Sequence, residues 1–287
     1  AEGVDQTRGW FYTLHAISSM VFDSVSYKNV VSNGLVLDKD GQKMSKRLGN
    51  AIDPFQTISD FGPDATRWYM ISNSNPWDNL KFDLSGVDEV KRKFFGTLYN
   101  TYSFFALYAN IDGFKYDEKE IEFDQRPELD RWILSELNSL IISVDEYYND
   151  YEPTKAARAI NIFVIDNLSN WYVRLSRRRF WKGDYEKDKI SAFQTLFDVL
   201  VNIAKLSAPI SPFFMDRLFI DLCKNLNKRF SGSIHLEDFP VADKSKIDLK
   251  LEEKVKYAQT ISSLTLSLRA KEKIKVRQPL SKILIPV

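Results

Sequence analysis

The chain has very little of the chemistry that builds disulfides and metal centres. Its 287 residues include one cysteine, Cys223, and only two histidines, His15 and His235. One cysteine excludes an intramolecular disulfide, and one thiol with two imidazoles is too small a set for a tetrahedral zinc site. The sequence therefore predicts a protein of a reducing compartment with no metal site of its own.

Long apolar runs and a strong net charge are also absent. No apolar stretch reaches the roughly 20 residues that span a bilayer, and the N-terminus has no basic region followed by an apolar core. We therefore expect no membrane contact and no signal peptide. The formal net charge is only +1, so affinity for a polyanion has to come from local basic patches.

The composition that remains is globular, with 44% hydrophobic and 28% charged residues, which is enough for one large or two ordinary domains. The periodicity of apolar residues predicts the helices and strands. In the first part it indicates short strands at 30–31 and 35–37, and helices at 6–23, with one buried face, and at 54–70. This order is typical of the second half of a doubly wound nucleotide-binding fold.

From residue 83 onward the apolar period is helical throughout. It predicts helices at 87–109, 127–149, 153–181, 186–206 and 211–228, joined by short loops as in an antiparallel bundle. The fold class is thus α/β plus all-α. The predicted divisions are 1–82 for the α/β part, 83–230 for the bundle, and 231–287 for a connector and a final helix at 249–273.

The most informative segment is residues 35–50, where an apolar strand turns into a basic loop. This loop carries Lys43 and Lys46 on either side of a Met-Ser step. Lysine is a compact charge on a flexible stem, and glycine-flanked loops let such charges approach phosphate groups. The alternative is an ordinary solvated basic turn. Residues 43–47, Lys-Met-Ser-Lys-Arg, followed by Leu-Gly-Asn, resemble the signature loop of class I aminoacyl-tRNA synthetases.

Three further segments resemble the isoleucyl branch of that class. Residues 2–11, Glu-Gly-Val-Asp-Gln-Thr-Arg-Gly-Trp-Phe, are similar to a motif of isoleucyl-tRNA synthetases. Residues 61–68 resemble the helix that follows the signature loop, and residues 170–181 resemble the anticodon-binding region. The resemblance implies a cytoplasmic enzyme that uses ATP with Mg²⁺, L-isoleucine and tRNA(Ile), and it implies no protein partner.

The resemblance also assigns candidate roles to individual residues. Lys43 and Lys46 are the candidates for stabilising phosphate charge during catalysis, and Trp10 is the candidate wall of the amino-acid side-chain pocket. The candidates for binding ATP or the adenylate are Glu2, Gly3, Asp5, Gln6, Gly34, Leu35, Val36 and Met44. Taken alone, residues 2–11 also fit a helix N-cap at Asp5 with Trp10 in the core, and Val36 also fits plain strand core.

The predicted helix 153–181 carries a basic face beside an apolar stripe at Val164, Leu168, Trp171 and Leu175. The basic face consists of Arg174, Arg177, Arg178 and Trp181, which fall within an arc of about 100° at 3.6 residues per turn. Guanidinium groups beside an aromatic ring suit RNA phosphates and bases. We therefore expect tRNA binding there. The alternative is a solvated face whose arginines pair with acids such as Asp184 and Glu186.

Three rival interpretations of the function stay open at the level of sequence. One is a related branched-chain enzyme such as a valyl-tRNA synthetase. Another is a non-catalytic tRNA-binding module with a vestigial signature loop, and the third is a helical scaffold without RNA affinity. The chain opens inside a family motif and contains no His-x-Gly-His element, so we expect a piece of a larger enzyme that is inactive alone.

Overall fold

The computed structural model describes residues 1–224 and 231–285, and for Lys46 it describes the backbone alone. Four short strands form two parallel pairs. β1 (Glu2–Gly3) pairs with β2 (Ser32–Asn33), and β3 (Val36–Leu37) pairs with β4 (Leu80–Lys81). The predicted strands are thus present but displaced by one or two residues. Both of their partners, β1 and β4, were missed because Glu2–Gly3 and Leu80–Lys81 do not lie in apolar runs.

The N-terminal helix differs from its prediction. Residues Val4–Arg8 form a 3₁₀ helix, and α1 begins only at Trp10 and ends at Phe22. None of its residues is buried, so the expected buried face is wrong. Phe11 is half-buried and its ring lies edge-on to that of Tyr27, with centroids 6.0 Å apart, whereas Phe22 stays 72% exposed.

The single helix predicted at 54–70 is two helices, α2 (Pro54–Phe61) and α3 (Pro63–Asn73). Asp53 caps α2 by accepting hydrogen bonds from the backbone of Phe55 and Gln56. Gly62 then has φ +88°, a backbone conformation that glycine adopts readily, and the following proline cannot continue a helix. The break at Gly62 turns α3 toward the helical part of the chain.

From residue 84 onward the regular secondary structure of the described residues is helical, and the predicted helices are confirmed within a few residues. Three long helical rods come first. The first rod consists of α4 (Leu84–Val90), a π segment (Lys91–Phe95) and α5 (Gly96–Asp112), and the second is α6 (Glu128–Asn149). The third rod consists of α7 (Pro153–Ile162), a π segment (Phe163–Val173) and α8 (Arg174–Trp181). They are followed by α9 (Lys187–Ser207), α10 (Pro212–Cys223) and α11 (Leu249–Lys271). The end of the helix predicted at 211–228 lies partly outside the described residues. No described helix is long and apolar enough to cross a membrane.

Helix α3 joins the α/β part to the bundle. Trp68 on α3 is 1% exposed and stacks on Phe94, with ring centroids 4.0 Å apart. The guanidinium Nε of Arg67 donates to Ile210 O at 2.8 Å, and Thr154 Oγ1 donates to Ile71 O at 2.7 Å. Buried aromatic contact and side-chain bonds to backbone therefore continue across residue 82, where the sequence predicts a domain boundary.

The π segment Phe163–Val173 shifts the buried face of its rod. A π-helix closes i→i+5 bonds and has wider turns than an α-helix. The apolar stripe predicted at 3.6 residues per turn is accordingly wrong beyond Leu168: Trp171 is only half-buried and Leu175 is 56% exposed. One row of buried side chains recurs every four residues, at Val164, Leu168, Tyr172, Ser176 and Phe180, and Phe163 and Val173 beside it are buried as well.

Candidate functional site

The N-terminal motif is held together by its own side chains. Gln6 Nε2 donates to Asp5 Oδ2 at 3.1 Å, and Gln6 Oε1 accepts from the backbone N–H of Trp10 at 2.8 Å. The residue at the N-cap of α1 is Gly9. The side chain of Gln6, and not that of Asp5, therefore accepts the hydrogen bond from the first N–H group of the helix. A side chain on residue 3 would place its Cβ 2.5 Å from Asp5 Oδ1, so the carboxylate of Asp5 would have to move.

The segment between β2 and β3 lies against residues 76–79. Gly34 N–H donates to Pro76 O at 2.8 Å, and a Cβ on Gly34 would lie 2.3 Å from Asp78 O. Only glycine permits this approach. Leu35 N–H donates to Asn79 Oδ1 at 2.8 Å. The backbone here is therefore fixed, while the side chain of Leu35, like that of Val36, is 41% exposed.

Parallel pairing of β1 with β2 places the N-terminal motif, residues 2–11, beside the segment that joins β2 to β3. Glu2 pairs with Ser32 and Gly3 with Asn33, so the carboxyl ends of β1 and β2 lie side by side. Beyond these ends come Asp5 and Gly34 respectively. Among the described residues, no hydrogen bond or ion pair links this motif to the basic loop at 43–47.

The basic loop starts at the carboxyl end of β3 and is closed by Asp38. Asp38 Oδ1 accepts from Gln42 N–H at 2.7 Å and from Asp40 N–H at 3.1 Å. Gly41, with φ +85°, makes the turn, and its N–H donates to Asp38 O. A hydrogen bond from the side chain of Asn50, and then these backbone bonds, hold the pKa of Asp38 below its ordinary value.

Asn50 closes the other end of the loop, and sequence reasoning gave it no role. Its Nδ2 donates to Asp38 Oδ2 at 2.8 Å and to Lys43 O at 3.3 Å, and its Oδ1 accepts from Ser45 N–H at 2.9 Å. The available signal was an Asp and an Asn at the two ends of a glycine-containing loop, since both side chains bond readily to nearby backbone.

The candidates in the loop differ in their surroundings. Lys43 and Arg47 are exposed, whereas Met44 is half-buried and packs against the hydrophobic core. The side chain of Lys46 lies outside the described residues; its backbone begins the 3₁₀ helix Lys46–Leu48. The indole of Trp10 is 56% exposed at the start of α1.

The basic face predicted on the last turns of the third rod is present on α8. Arg174, Arg177 and Arg178 are exposed, and none of them pairs with a described acid; Trp181 beside them is 53% exposed. The described contacts therefore do not include the alternative pairing with Asp184 and Glu186.

The neighbouring Arg179 has a different environment. Its Nη1 and Nη2 donate to the two oxygens of the buried Asp130 at 2.6 and 2.8 Å, and its Nε pairs with Asp188 at 3.0 Å. Tyr172 Oη and Ser191 Oγ also donate to Asp130, at 2.9 and 2.6 Å. Because burial penalises a lone carboxylate, these donors compensate the charge of Asp130, and Arg179 does not contribute to an exposed binding face.

Two models of known families match this chain, one over the part that contains the basic loop and one over the part that contains α8. Residues 1–83 match the model of tRNA synthetases class I (I, L, M and V), and residues 130–284 match the anticodon-binding domain of tRNA ligase. The chain therefore belongs to the class I tRNA ligases.

Individual relatives indicate which branch of the class I tRNA ligases this chain resembles. The chain is 64% identical over 287 residues to isoleucine–tRNA ligase of Bacteroides thetaiotaomicron, and 63% identical over 287 residues to isoleucine–tRNA ligase of Cytophaga hutchinsonii. The resemblance to isoleucyl-tRNA synthetases is thereby confirmed. All of this chain is covered in both cases, but it spans only about a quarter of each relative, 25% and 26%.

A solved structure shares the fold. It is that of LeuRS from Agrobacterium radiobacter K84 in a ternary complex with tRNA and LeuAMS, with a TM-score of 0.65 over 86% of this chain and 29% of that chain. At 18% identity the similarity concerns the fold alone. It confirms a mostly helical arrangement of the class I synthetase type.

Proposed function

We propose that this chain provides the nucleotide-handling loop and the tRNA-binding bundle of an isoleucine–tRNA ligase. The whole enzyme would activate L-isoleucine with ATP and transfer it to tRNA(Ile). The observation that supports this most directly is the braced basic loop at the carboxyl end of β3, in a chain 64% identical to an enzyme of that name. Residues 1–82 would be the C-terminal half of the doubly wound catalytic domain, and residues 83–230 an antiparallel anticodon-binding bundle.

In the proposed activation step an oxygen of the isoleucine carboxylate attacks the α-phosphorus of ATP. The bond to the β-phosphate oxygen breaks, and pyrophosphate leaves with the electron pair. ATP enters as its Mg²⁺ complex. Such transfers are catalysed mainly by positioning and by charge stabilisation. Lys43 and Lys46 would stabilise the negative charge that develops on the departing pyrophosphate.

The N-terminal motif and the β2–β3 segment would hold the adenylate. Parallel strands bind ligands beyond their carboxyl ends, and it is there that Asp5, Gln6 and Gly34 lie. The carboxylate of Asp5 can accept hydrogen bonds from ribose hydroxyls or from the amino group of the substrate. The exposed indole of Trp10 would form a rigid wall against the isoleucine side chain. Glu2, Gly3, Leu35, Val36 and Met44 complete the proposed set.

The exposed face of α8 would contact tRNA. Arginine forms bidentate bonds with phosphate and also stacks on bases, and the neighbouring Trp181 offers a second stacking surface. The absence of described acidic partners for Arg174, Arg177 and Arg178 supports this role over internal pairing.

Aminoacylation by the full-length parent enzyme tests the proposal. It should charge tRNA(Ile) with isoleucine much faster than it charges tRNA(Val) with valine. A preference for valine would favour the valyl alternative. Tight tRNA binding without any charging would favour the non-catalytic module, and neither binding nor charging would favour a helical scaffold.

A further inference from the structure

We propose that Asp38 and Asn50 are positioning residues for the two lysines of the signature loop. We call this pair the Asp38–Asn50 clamp. The inference rests on the function proposed above, because it concerns how Lys43 and Lys46 are placed during adenylate formation.

Asn50 uses both ends of its carboxamide on the lysine-bearing backbone. The Nδ2 group donates to Lys43 O at 3.3 Å, and Oδ1 accepts from Ser45 N–H at 2.9 Å. These two backbone groups flank Met44, whose side chain packs against the core. One side chain therefore fixes the backbone on both sides of Met44.

The same loop continues from Ser45 into the second lysine. Leu48 N–H donates to both Ser45 O and Ser45 Oγ at 3.2 Å, which forms the turn that carries Lys46. Lys43 precedes Ser45 and Lys46 follows it. A change at Asn50 would thus loosen the backbone between the two lysines, while the antiparallel bridge between Leu37 and Lys43 would remain.

Asp38 anchors the clamp to the sheet. Its Oδ2 accepts from Asn50 at 2.8 Å, while its Oδ1 accepts from the backbone of Asp40 and Gln42. Asp38 directly follows β3, so the clamp attaches the loop to a strand that is itself hydrogen-bonded to β4. The hydrogen bond from Asn50 is the largest cause of the lowered pKa of Asp38, as expected when a donor stabilises the charged carboxylate.

The clamp has a kinetic consequence. Charge stabilisation in a phosphoryl transfer depends on distance, and a displacement of about 1 Å can reduce rate by roughly 100-fold. In the full-length enzyme, Asn50→Ala should lower kcat for isoleucine-dependent pyrophosphate exchange by about that factor. The KM for isoleucine should stay near its wild-type value, because the clamp does not touch the proposed amino-acid pocket.

A matched control is available in the same loop. The side chain of Gln42 is exposed and makes no hydrogen bond with a described residue, so Gln42→Ala should leave kcat unchanged. Thermal unfolding of every variant reports whether the fold is retained.

An exchange of the two residues tests the pairing itself. Asn50→Asp places a carboxylate opposite Asp38 and should also lower kcat. Asp38→Asn/Asn50→Asp restores one donor facing one acceptor but leaves Lys43 O without its donor, so it should recover only part of the kcat lost in Asn50→Asp. A merely structural role would change the melting temperature without this recovery.

The outcomes separate the two proposals. An active wild-type enzyme with unchanged kcat in folded Asn50→Ala, or no recovery in the exchanged pair, overturns the clamp alone. A wild-type enzyme without isoleucine-dependent exchange overturns the proposed function, and the inference falls with it.

Discussion

Two adjacent arginines of α8 have opposite surroundings, and this difference can be measured. The side chain of Arg179 is 17% exposed and pairs with the fully buried Asp130, whereas Arg178 is exposed and has no described acidic partner. Removing one member of a buried ion pair leaves an uncompensated charge. We expect Arg179→Met to lower the free energy of unfolding by about 3 to 5 kcal/mol.

Arg178→Met is the matched control, because it removes the same group from the next position. We expect a change within about 0.5 kcal/mol, as for most surface substitutions. Urea unfolding of both variants measures the difference. Equal losses would contradict the distinction between a stabilising and a solvated arginine.

A second residue-scale prediction concerns Glu136 on α6, which faces α11. Burial, and then the nearby Glu252, raise the pKa of Glu136 to about 7, while a hydrogen bond from Trp132 and the charge of Lys256 oppose the rise. The folded chain therefore binds this proton more tightly than the unfolded chain. The resulting contribution to the free energy of unfolding is fully present below pH 4.5, the ordinary pKa of a glutamate. It is lost as the pH rises through about 7.

The free energy of unfolding of the wild-type chain should therefore fall more steeply between about pH 5 and about pH 8 than that of Glu136→Gln. Urea unfolding across this range compares the two slopes, and the variant cancels the contribution of all other groups. Identical slopes would show that the environment of Glu136 does not favour its proton.

At the scale of elements, the basic face of α8 predicts how tRNA binding depends on salt. Each arginine on a phosphate releases condensed counterion, so each arginine removed should flatten the log-log salt slope by somewhat under one unit. Arg177→Glu/Arg178→Glu should weaken tRNA binding and reduce the slope, measured by titration at several salt concentrations.

The control for this double variant has the same charge change elsewhere. Arg92 and Lys93 are exposed and already pair with Asp88 and Glu89 on their own rod. Arg92→Glu/Lys93→Glu should affect binding less. If both double variants behave alike, the effect comes from net charge, and the RNA surface lies elsewhere.

Helices were predictable from the sequence wherever their periodicity was regular. The helix at 153–181 was predicted with its bounds, because propensity and the start at Pro153 agree. Its buried face was not, since the π segment Phe163–Val173 changes the spacing and depends on tertiary packing. The break at Gly62–Pro63 was readable from composition but was overlooked.

The candidate site was predictable only where a motif carries it. Lys43, Arg174, Arg177 and Arg178 lie exposed, as a phosphate or RNA contact requires. The proposed role of Asn50 depends on bonds from its side chain to the backbone of Lys43 and Ser45, which no motif indicated. The exposed α1 was mispredicted for a related reason, because periodicity indicates an apolar face without indicating what covers it.

At the scale of the whole molecule, the described residues hold only two pairs of two-residue parallel strands, and the sequence has no His-x-Gly-His element. The resemblance implies that this element helps to bind the nucleotide. The purified chain alone should therefore give no isoleucine-dependent pyrophosphate exchange, with the full-length enzyme as the positive control. Robust exchange by the isolated chain would contradict this expectation.

The most direct test of the central claim is isoleucine-dependent pyrophosphate exchange by the full-length enzyme and its Lys46→Ala variant. The wild-type enzyme should exchange pyrophosphate with isoleucine. The variant should lose about 2.7 to 4 kcal/mol of transition-state stabilisation, by analogy with the loss of one preorganised charge-stabilising group, while its tRNA affinity barely changes. Normal single-turnover activation in Lys46→Ala, or no exchange in the wild type, would contradict the account.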